Sequence, residues 1–262
     1  MTKLRVLDLF SGIGGFSLGL ERTGGFETVA FCEIEPFPRK VLAKHWPKVP
    51  CYEDVRTLTG DVLARDGIAV DVITGGFPCQ DLSVAGKRAG LDGKRSGLWS
   101  EIVRLIGELR PRYVIVENVA NLLSGPSEKR GGWFGRVLGD LAECGYDAEW
   151  ENIPASEVGA PQSRERIWIA AYPAQRMRNR VLFSGERHDQ SAFQGFKRVR
   201  RCIGLRRDRN GPPADFARLR ADDGLSVRLG EVAGYGNAVV PQIPELIGRA
   251  ILAAERDARA VA

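Results

Sequence analysis

The sequence predicts an α/β protein built on a largely parallel sheet. The apolar run at 4–10 leads into Ser-Gly-Ile-Gly-Gly and then into a helical pattern that extends through Glu21. Strand, glycine turn and helix in this order are typical of the start of an α/β unit. A second run, at 113–119, is apolar through most of its length, which indicates a strand buried on both faces, as in parallel sheets.

The other elements follow in chain order. Pro36 begins one helical pattern, because proline suits the first helical turn, and Pro111 ends another. A clean apolar stripe near the end of the chain predicts a last helix that packs back onto the first domain. The predicted strands are 4–10, 26–33, 52–55, 70–74, 113–119, 148–153 and 166–171, and the helices after the first are 36–46, 100–110, 133–144 and a last one whose stripe spans 243–254.

The chain has 262 residues, enough for one large domain with a small appendage. We expect a catalytic domain at 1–172, a small loop-rich region at 173–232 and a returning C-terminal segment at 233–262. No run approaches 18 apolar residues and no signal peptide is evident, so we expect a cytoplasmic protein without a membrane span. Five scattered cysteines and two histidines argue against zinc and against a disulfide framework.

The charge is concentrated in one segment. Residues 173–220 contain thirteen Lys and Arg against four Asp and Glu, whereas the whole chain has a net charge of +5. A basic segment on a mildly acidic body favours contact with nucleic acid over a merely solvated arginine-rich stretch. Four glycines and four basic residues at 84–97 predict a polyanion-facing lid, with a plain surface loop as the alternative.

Two candidate catalytic residues follow neighbouring strands. Cys79 comes after strand 70–74 through Gly75 and Gly76, and Pro78 restricts its approach. Glu117 closes strand 113–119. Sites in open α/β sheets form at the carboxyl ends of strands, so a thiolate nucleophile and a buried acid of raised pKa can meet there. The alternative for Cys79 is a packed, unreactive thiol.

The first glycine turn predicts a nucleotide-like ligand or, equally, a simple tight turn. Its spacing differs from the dinucleotide fingerprint, because the third glycine is misplaced. Glu33 follows the turn by about 20 residues, where an acid typically holds ribose hydroxyls. Asp54, expected at the carboxyl end of strand 52–55, could bind an adenine amino group. Arg164 and Arg166 are expected on opposite faces of their strand, one in the site and one packed or paired with an acid.

The motifs together resemble the DNA (cytosine-5) methyltransferases. Five blocks occur in the order of that family, and a Pro-Pro-Tyr-type motif of amino-methylating enzymes is absent. The blocks are Asp8-Leu9-Phe10-Ser11-Gly12-Ile13-Gly14-Gly15, Gly76-Phe77-Pro78-Cys79-Gln80, Glu117-Asn118-Val119, Gln162-Ser163-Arg164-Glu165-Arg166 and Gly236-Asn237-Ala238-Val239-Val240.

The resemblance implies a Rossmann-like methyltransferase domain with a small, basic, loop-rich target-recognition insert. It implies that Cys79, Glu117, Arg164 and Arg166 are catalytic and that S-adenosylmethionine is the cofactor. The implied cofactor contacts are Phe10, Gly12, Gly14, Glu33, Asp54, Pro78 and Asn237, and the implied DNA contacts are Gln80, Ser83, Lys87, Arg88, Lys94 and Arg95.

The implied reaction is methylation of carbon 5 of a flipped cytosine at a specific short site in double-stranded DNA, through a covalent Cys79 adduct. A cognate restriction endonuclease is a candidate partner, and we expect a monomer. The insert is short for the family, and Asp222-Asp223-Gly224-Leu225 matches poorly the block expected near it. A methyltransferase acting on transfer RNA and a catalytically inactive DNA-binding relative remain the alternatives.

Overall fold

The computed structural model describes residues 2–77, 97–120, 122, 132–160, 164–174 and 238–260. The basic insert beyond residue 174 and the implied DNA contacts between 80 and 95 lie outside the described residues. Seven strands are described: β1 (Leu4–Leu9), β2 (Phe26–Cys32), β3 (Cys51–Tyr52), β4 (Val72–Gly76), β5 (Tyr113–Val119), β6 (Tyr146–Pro154) and β7 (Glu165–Pro173).

The strands form one sheet in the order β3-β2-β1-β4-β5-β7-β6. Pairings from β3 through β5 are parallel, and β7 lies antiparallel between β5 and β6. The predicted α/β class with a mostly parallel sheet is confirmed. Strands β1 to β3 are added toward one edge of the sheet, and the strands from β4 onward are added toward the other edge. This reversal of strand order opens a crevice at the carboxyl ends of β1 and β4.

Helices cover both faces of the sheet. One face carries α1 (Gly15–Arg22) and the C-terminal helix α6 (Gln242–Ala260), whose apolar side chains pack with those of β1, β5 and β7. The other face carries α3 (Gly60–Arg65), α4 (Leu98–Leu109) and α5 (Gly132–Glu143). Helix α2 (Pro36–His45) lies near the β3 edge, where Phe31 and Trp46 pack edge to face.

Helices α1 and α6 approach each other closely. A Cβ atom at Gly19 would lie 2.2 Å from the carbonyl oxygen of Pro241, and one at Gly248 would lie 3.0 Å from Leu20. The apolar stripe from Ile243 to Ile251 is buried in this contact. The last helix therefore fixes residues 238–241 against the start of α1.

Several predicted strand ends differ from the structure, and two of them bear on the candidate site. The strand predicted at 70–74 continues through Gly75 and Gly76, which pair with Val116 and Glu117. The pairing with β5 therefore carries the strand two residues beyond the apolar run that predicted it, and of the two glycines only Gly76 has a tight contact on its side-chain face. No helix in the described part of the chain is both long and apolar enough to cross a membrane.

The strand predicted at 52–55 ends at Tyr52. Asp54 instead begins a tight turn, because its carbonyl accepts hydrogen bonds from the N–H groups of Thr57 and Leu58. Its carboxylate accepts a further bond from the N–H of Arg56, a local arrangement that aspartate favours over continued strand.

Candidate active site at the carboxyl edge of the sheet

Glu117 lies at the carboxyl edge, on the sheet face that carries α1. It pairs with Gly76 of β4 on one side and with Trp168 of β7 on the other. A Cβ atom at Gly76 would lie 3.3 Å from Oε2 of Glu117, tighter than most such contacts. Glycine at position 76 therefore leaves space for the Glu117 carboxyl, a role that the sequence pattern alone did not reveal.

Both predicted arginines converge on Glu117. Nε of Arg166 lies 3.0 Å from Oε1 of Glu117, and Nη2 of Arg164 lies 3.6 Å from the same oxygen. The expectation that the two arginines point to opposite faces is wrong, because residues two apart on a strand share a face. The two cations thus flank one oxygen of the acid.

Arg164 also reaches the segment that follows the Gly-Asn motif. Its Nη1 donates a hydrogen bond of 3.1 Å to the carbonyl oxygen of Ala238. Ala238 and Val240 line a small cavity together with Glu117, Arg166 and other residues of the same face. One arginine therefore joins the acid to the C-terminal segment, although Asn237 itself lies outside the described residues.

Burial controls the protonation of this cluster. Glu117 is 8% exposed, and burial raises its pKa above the usual range despite the opposing charges of Arg166 and Arg164 and the hydrogen bond from Arg166. Burial also lowers the pKa of Arg164, while the charge of Glu117 opposes that change. A carboxyl of raised pKa beside two cations can act as a proton donor at the sheet edge.

The chain approaches the predicted nucleophile from the same edge. Pro78 and Cys79 lie outside the described residues, which reach Phe77. The Asn118 amide donates a hydrogen bond of 2.9 Å to the carbonyl oxygen of Phe77, and both residues are buried. The Phe77 ring packs on Trp99 at 5.0 Å. Asn118, which directly follows Glu117, therefore fixes the chain two residues before Cys79, a contact that no sequence pattern indicated.

The predicted ribose-binding acid is held in place at the end of β2. Glu33 accepts hydrogen bonds from the N–H groups of Gly12, at 2.7 Å, and Glu35, at 2.8 Å. Gly12 has a φ of 53°, and a Cβ atom there would meet nothing within 4 Å. Ile34, which was not predicted as a site residue, is 56% exposed next to this acid. Glu33 and the open turn thus face the same crevice.

The other predicted cofactor residues are arranged differently. Gly14, with a φ of 87°, faces protein: a Cβ atom there would lie 2.7 Å from the Trp46 ring. Phe10, half-buried, follows β1 with a φ of 51° and packs against the core beneath the turn. Asp54 lies in the turn after β3, with its side chain one-third exposed. Gly14 therefore serves packing of the turn, whereas Asp54 remains accessible.

A buried carboxyl supports the glycine turn from below. Asp8 of β1 is fully buried and accepts hydrogen bonds from Ser17 of α1, at 2.7 Å, and from Thr74 of β4, at 2.8 Å. Burial raises the pKa of Asp8 to about 7, although both hydroxyl groups oppose the rise. Helix α1 has no side-chain cap at Gly14, so Asp8 supplies an acceptor to its first turn.

Comparison with known proteins assigns the family. The family model for C-5 cytosine-specific DNA methylase matches residues 4–201. This chain belongs to the C-5 cytosine-specific DNA methylase family. That membership confirms the resemblance inferred from the five sequence blocks.

Curated relatives of this chain include bacterial type II methyltransferases. The type II methyltransferase M.Sau3AI of Staphylococcus aureus is 38% identical over 184 residues, which cover 66% of this chain and 44% of that protein. M2.BsuMI of Bacillus subtilis strain 168, also a type II methyltransferase, is 37% identical over 172 residues, covering 64% of this chain and 42% of the relative. The chain therefore spans less than half the length of these relatives.

Solved structures of similar fold include a prophage-encoded protein from E. coli assigned as a DNA modification methyltransferase. It superposes with a TM-score of 0.56 at 27% identity, covering 71% of this chain and 52% of that chain. A mutant DNMT2 of Spodoptera frugiperda superposes with a TM-score of 0.55 at 24% identity, covering 72% of this chain and 54% of that chain. The second comparison supports the fold alone.

Proposed function

We propose that this chain transfers a methyl group from S-adenosylmethionine to carbon 5 of cytosine, in double-stranded DNA, at a specific short sequence. The observation that carries the proposal is Glu117, a buried acid of raised pKa flanked by Arg164 and Arg166. It lies one strand away from β4, which leads to Cys79. Membership of the cytosine-specific methylase family agrees with this chemistry.

Cys79 is the proposed nucleophile. Carbon 5 of cytosine is too weakly nucleophilic to react while the ring is aromatic. Attack of the Cys79 thiolate on carbon 6 forms an S–C6 bond and moves the C5–C6 π electrons toward carbon 5 and ring nitrogen 3. Thiolates suit this step because they attack strongly and can leave again. Asn118, by holding Phe77, would restrict where the thiolate can approach.

Glu117 is the proposed acid. In its protonated form it donates to ring nitrogen 3, which stabilises the negative charge that develops on attack. Arg166 and Arg164 orient the carboxyl from one side, and their remaining donors are suited to the cytosine carbonyl oxygen. After carbon 5 has been methylated, a water molecule takes its proton. The electron pair of the C5–H bond then restores the C5–C6 double bond, and the S–C6 bond breaks to release the Cys79 thiolate.

The described residues fit S-adenosylmethionine. Glu33, already oriented by two backbone N–H groups, retains lone pairs for ribose hydroxyls, and the side of Gly12 that a Cβ would occupy is open. Ile34 offers an apolar surface for adenine, and Asp54 an acceptor for its amino group. The remaining proposed contacts are Phe10, Pro78, Asn237 and the backbone of Gly14, whose side-chain face is filled by Trp46. When bound, the cofactor supplies an electrophilic methyl group to carbon 5.

The target base must leave the duplex, because stacked carbon 6 is out of reach of a thiolate. Flipping costs a few kcal/mol, and we propose that the basic segment at 84–97, including Lys87, Arg88, Lys94 and Arg95, helps to hold the open state. Gln80 and Ser83 are proposed DNA contacts beside the nucleophile. We propose residues 173–232 as the target-recognition region, where phosphate contacts would make affinity fall with salt.

The biological setting follows from the relatives. Their designation as type II methyltransferases supports a cognate restriction endonuclease that acts on the same site. We propose that this chain acts as a monomer in the cytoplasm of a bacterial or phage-infected cell.

Side-by-side methylation assays test the proposed function. The purified chain is incubated with S-adenosylmethionine and either mixed-sequence duplex DNA or unmodified transfer RNA, and the products are digested to nucleosides for mass spectrometry. We expect 5-methyldeoxycytidine from DNA. If methylcytidine forms from RNA and no methylated product forms from DNA, then the substrate is transfer RNA and the proposal is wrong. No methylated product from either would identify an inactive relative.

A further inference from the structure

Arg104 forms a polar hub on α4 that neither the proposed chemistry nor the sequence motifs account for. Its guanidinium donates to carboxylate oxygens of Glu101 and Glu108, each at 2.8 Å. Its Nη2 donates to the backbone carbonyl oxygens of Val55, at 2.9 Å, and Leu58, at 2.7 Å. Two acids of its own helix thus orient the arginine toward carbonyls that lie 49 and 46 residues earlier in the chain.

Those carbonyls belong to the tight turn that presents Asp54. Within this tight turn, the Asp54 carbonyl oxygen accepts the hydrogen bonds from Thr57 and Leu58 that close one turn of helix. The carbonyl groups that follow Asp54 therefore have no N–H partner within the same turn. Arg104 supplies a partner for two of them. Glu108 ties the far end of the same segment, because its Oε2 accepts a hydrogen bond of 2.7 Å from the N–H of Gly60. Helix α4 therefore holds segment 54–60 at both ends.

The hydrogen bonds of Asp54 that follow β3 lie within this segment. Its carboxylate is bound to the N–H of Arg56, within the turn itself. Among the described residues, no side chain outside this turn donates a hydrogen bond to that carboxylate. The position of Asp54 in the crevice therefore depends on the anchors of the turn: α4 makes three hydrogen bonds to the residues after Asp54, and an ion pair with Arg39 holds Glu53 directly before it.

We propose that Arg104 is a positioning residue that sets cofactor affinity by holding Asp54 at the adenine end of the crevice. The inference rests on the proposed function, because it assumes that Asp54 contacts the cofactor. Arg104 itself touches neither the cofactor nor the reacting atoms. Its loss should therefore weaken binding of S-adenosylmethionine while leaving turnover at saturating cofactor close to that of the wild type.

Calorimetric titration with S-adenosylmethionine and S-adenosylhomocysteine tests this role. We expect Arg104→Met to weaken binding about tenfold, as loss of charge-assisted hydrogen bonds would. Arg104→Lys should recover part of the loss, because an ammonium can still reach one carbonyl. The matched control is Arg136→Met, which removes an arginine paired with Asp140 on α5, away from segment 54–60, and should bind as the wild type does.

A double-mutant cycle separates positioning from general stabilisation. If Arg104 acts through Asp54, then Arg104→Met should cause little further loss of affinity in an Asp54→Ala background. Additive losses, wild-type affinity of Arg104→Met, or an equal loss in Arg136→Met would each overturn the inference. If the wild-type chain binds neither cofactor form, the proposed function fails as well, which distinguishes the two failures.

Discussion

Replacing Asp8 with asparagine should remove a large pH dependence of folding. Asp8 is fully buried between β1, α1 and β4, where its carboxyl accepts hydrogen bonds from the hydroxyl groups of Ser17 and Thr74 and from the backbone N–H of Ser17. Burial raises its pKa from the usual 3.8 to about 7. Between these values the unfolded chain has lost the proton while the folded chain keeps it, so the free energy of unfolding falls as pH rises.

The magnitude follows from the size of that pKa change. A pKa difference of about three, at about 1.36 kcal/mol for each unit, corresponds to about 4 kcal/mol. This stabilisation is fully present below pH 3.8 and is lost as pH rises through 7. Asparagine is always neutral and nearly isosteric with the protonated acid. The variant should match the wild type near pH 4 and exceed it in stability by several kcal/mol near pH 8.

Urea unfolding followed by circular dichroism, at pH values from 4 to 8, measures the difference between the two proteins. The control is Asp71→Asn. Burial alone would raise the pKa of Asp71, but the hydrogen bonds and charge of Arg5 outweigh it and hold that pKa below its usual range. This variant should therefore be less stable than the wild type at neutral pH and similar to it at low pH. Parallel pH profiles for wild type and Asp8→Asn would refute the reasoning.

Three further predictions concern the acid. Glu117→Gln should reduce turnover at least about tenfold and retain S-adenosylmethionine binding. Turnover is measured by transfer of a radiolabelled methyl group, and an unchanged rate would exclude Glu117 as the acid. Gly76→Ala should displace the Glu117 carboxyl by a few tenths of an ångström and lower turnover several-fold; Gly139→Ala on α5, with open space around its Cβ, is the control, and equal effects would contradict the claim. Arg166→Met removes a positive charge 3.0 Å from Glu117 that lowers the pKa of this acid. The alkaline limb of the pH–rate profile should therefore move to higher pH, and a shift to lower pH or no shift would contradict this.

The adjacency of β4 and β5 could be predicted because consecutive parallel strands usually lie side by side. Their register could not, because it depends on how both strands pack against the helices. That register sets Gly76 against Glu117 and makes the glycine a part of the site. The sheet face on which Arg164 lies could have been predicted from the sequence, because residues two apart on a strand lie on the same face. The expectation that Arg164 and Arg166 point to opposite faces was wrong because it did not follow that rule.

Long-range polar contacts were beyond the sequence patterns. The helical pattern predicts that Arg104 lies on the solvated face of an amphipathic helix. Its guanidinium instead binds carbonyl groups of a turn that precedes it by more than 40 residues. Asp8 is the first residue of a sequence block, but the two hydroxyl groups that donate to it come from separate elements. Local periodicity predicts which face of an element is apolar, and only the packed sheet determines which polar groups meet across it.

Covalent trapping tests the central claim most directly. Duplex DNA of mixed sequence, with 5-fluorocytosine at every cytosine, is incubated with S-adenosylmethionine and the wild-type chain or Cys79→Ala. Fluorine at carbon 5 blocks loss of the proton that releases the thiolate, so the adduct accumulates. We expect a denaturation-resistant protein–DNA species with the wild type and none with Cys79→Ala. No adduct with the wild type, or one that survives Cys79→Ala, would contradict it.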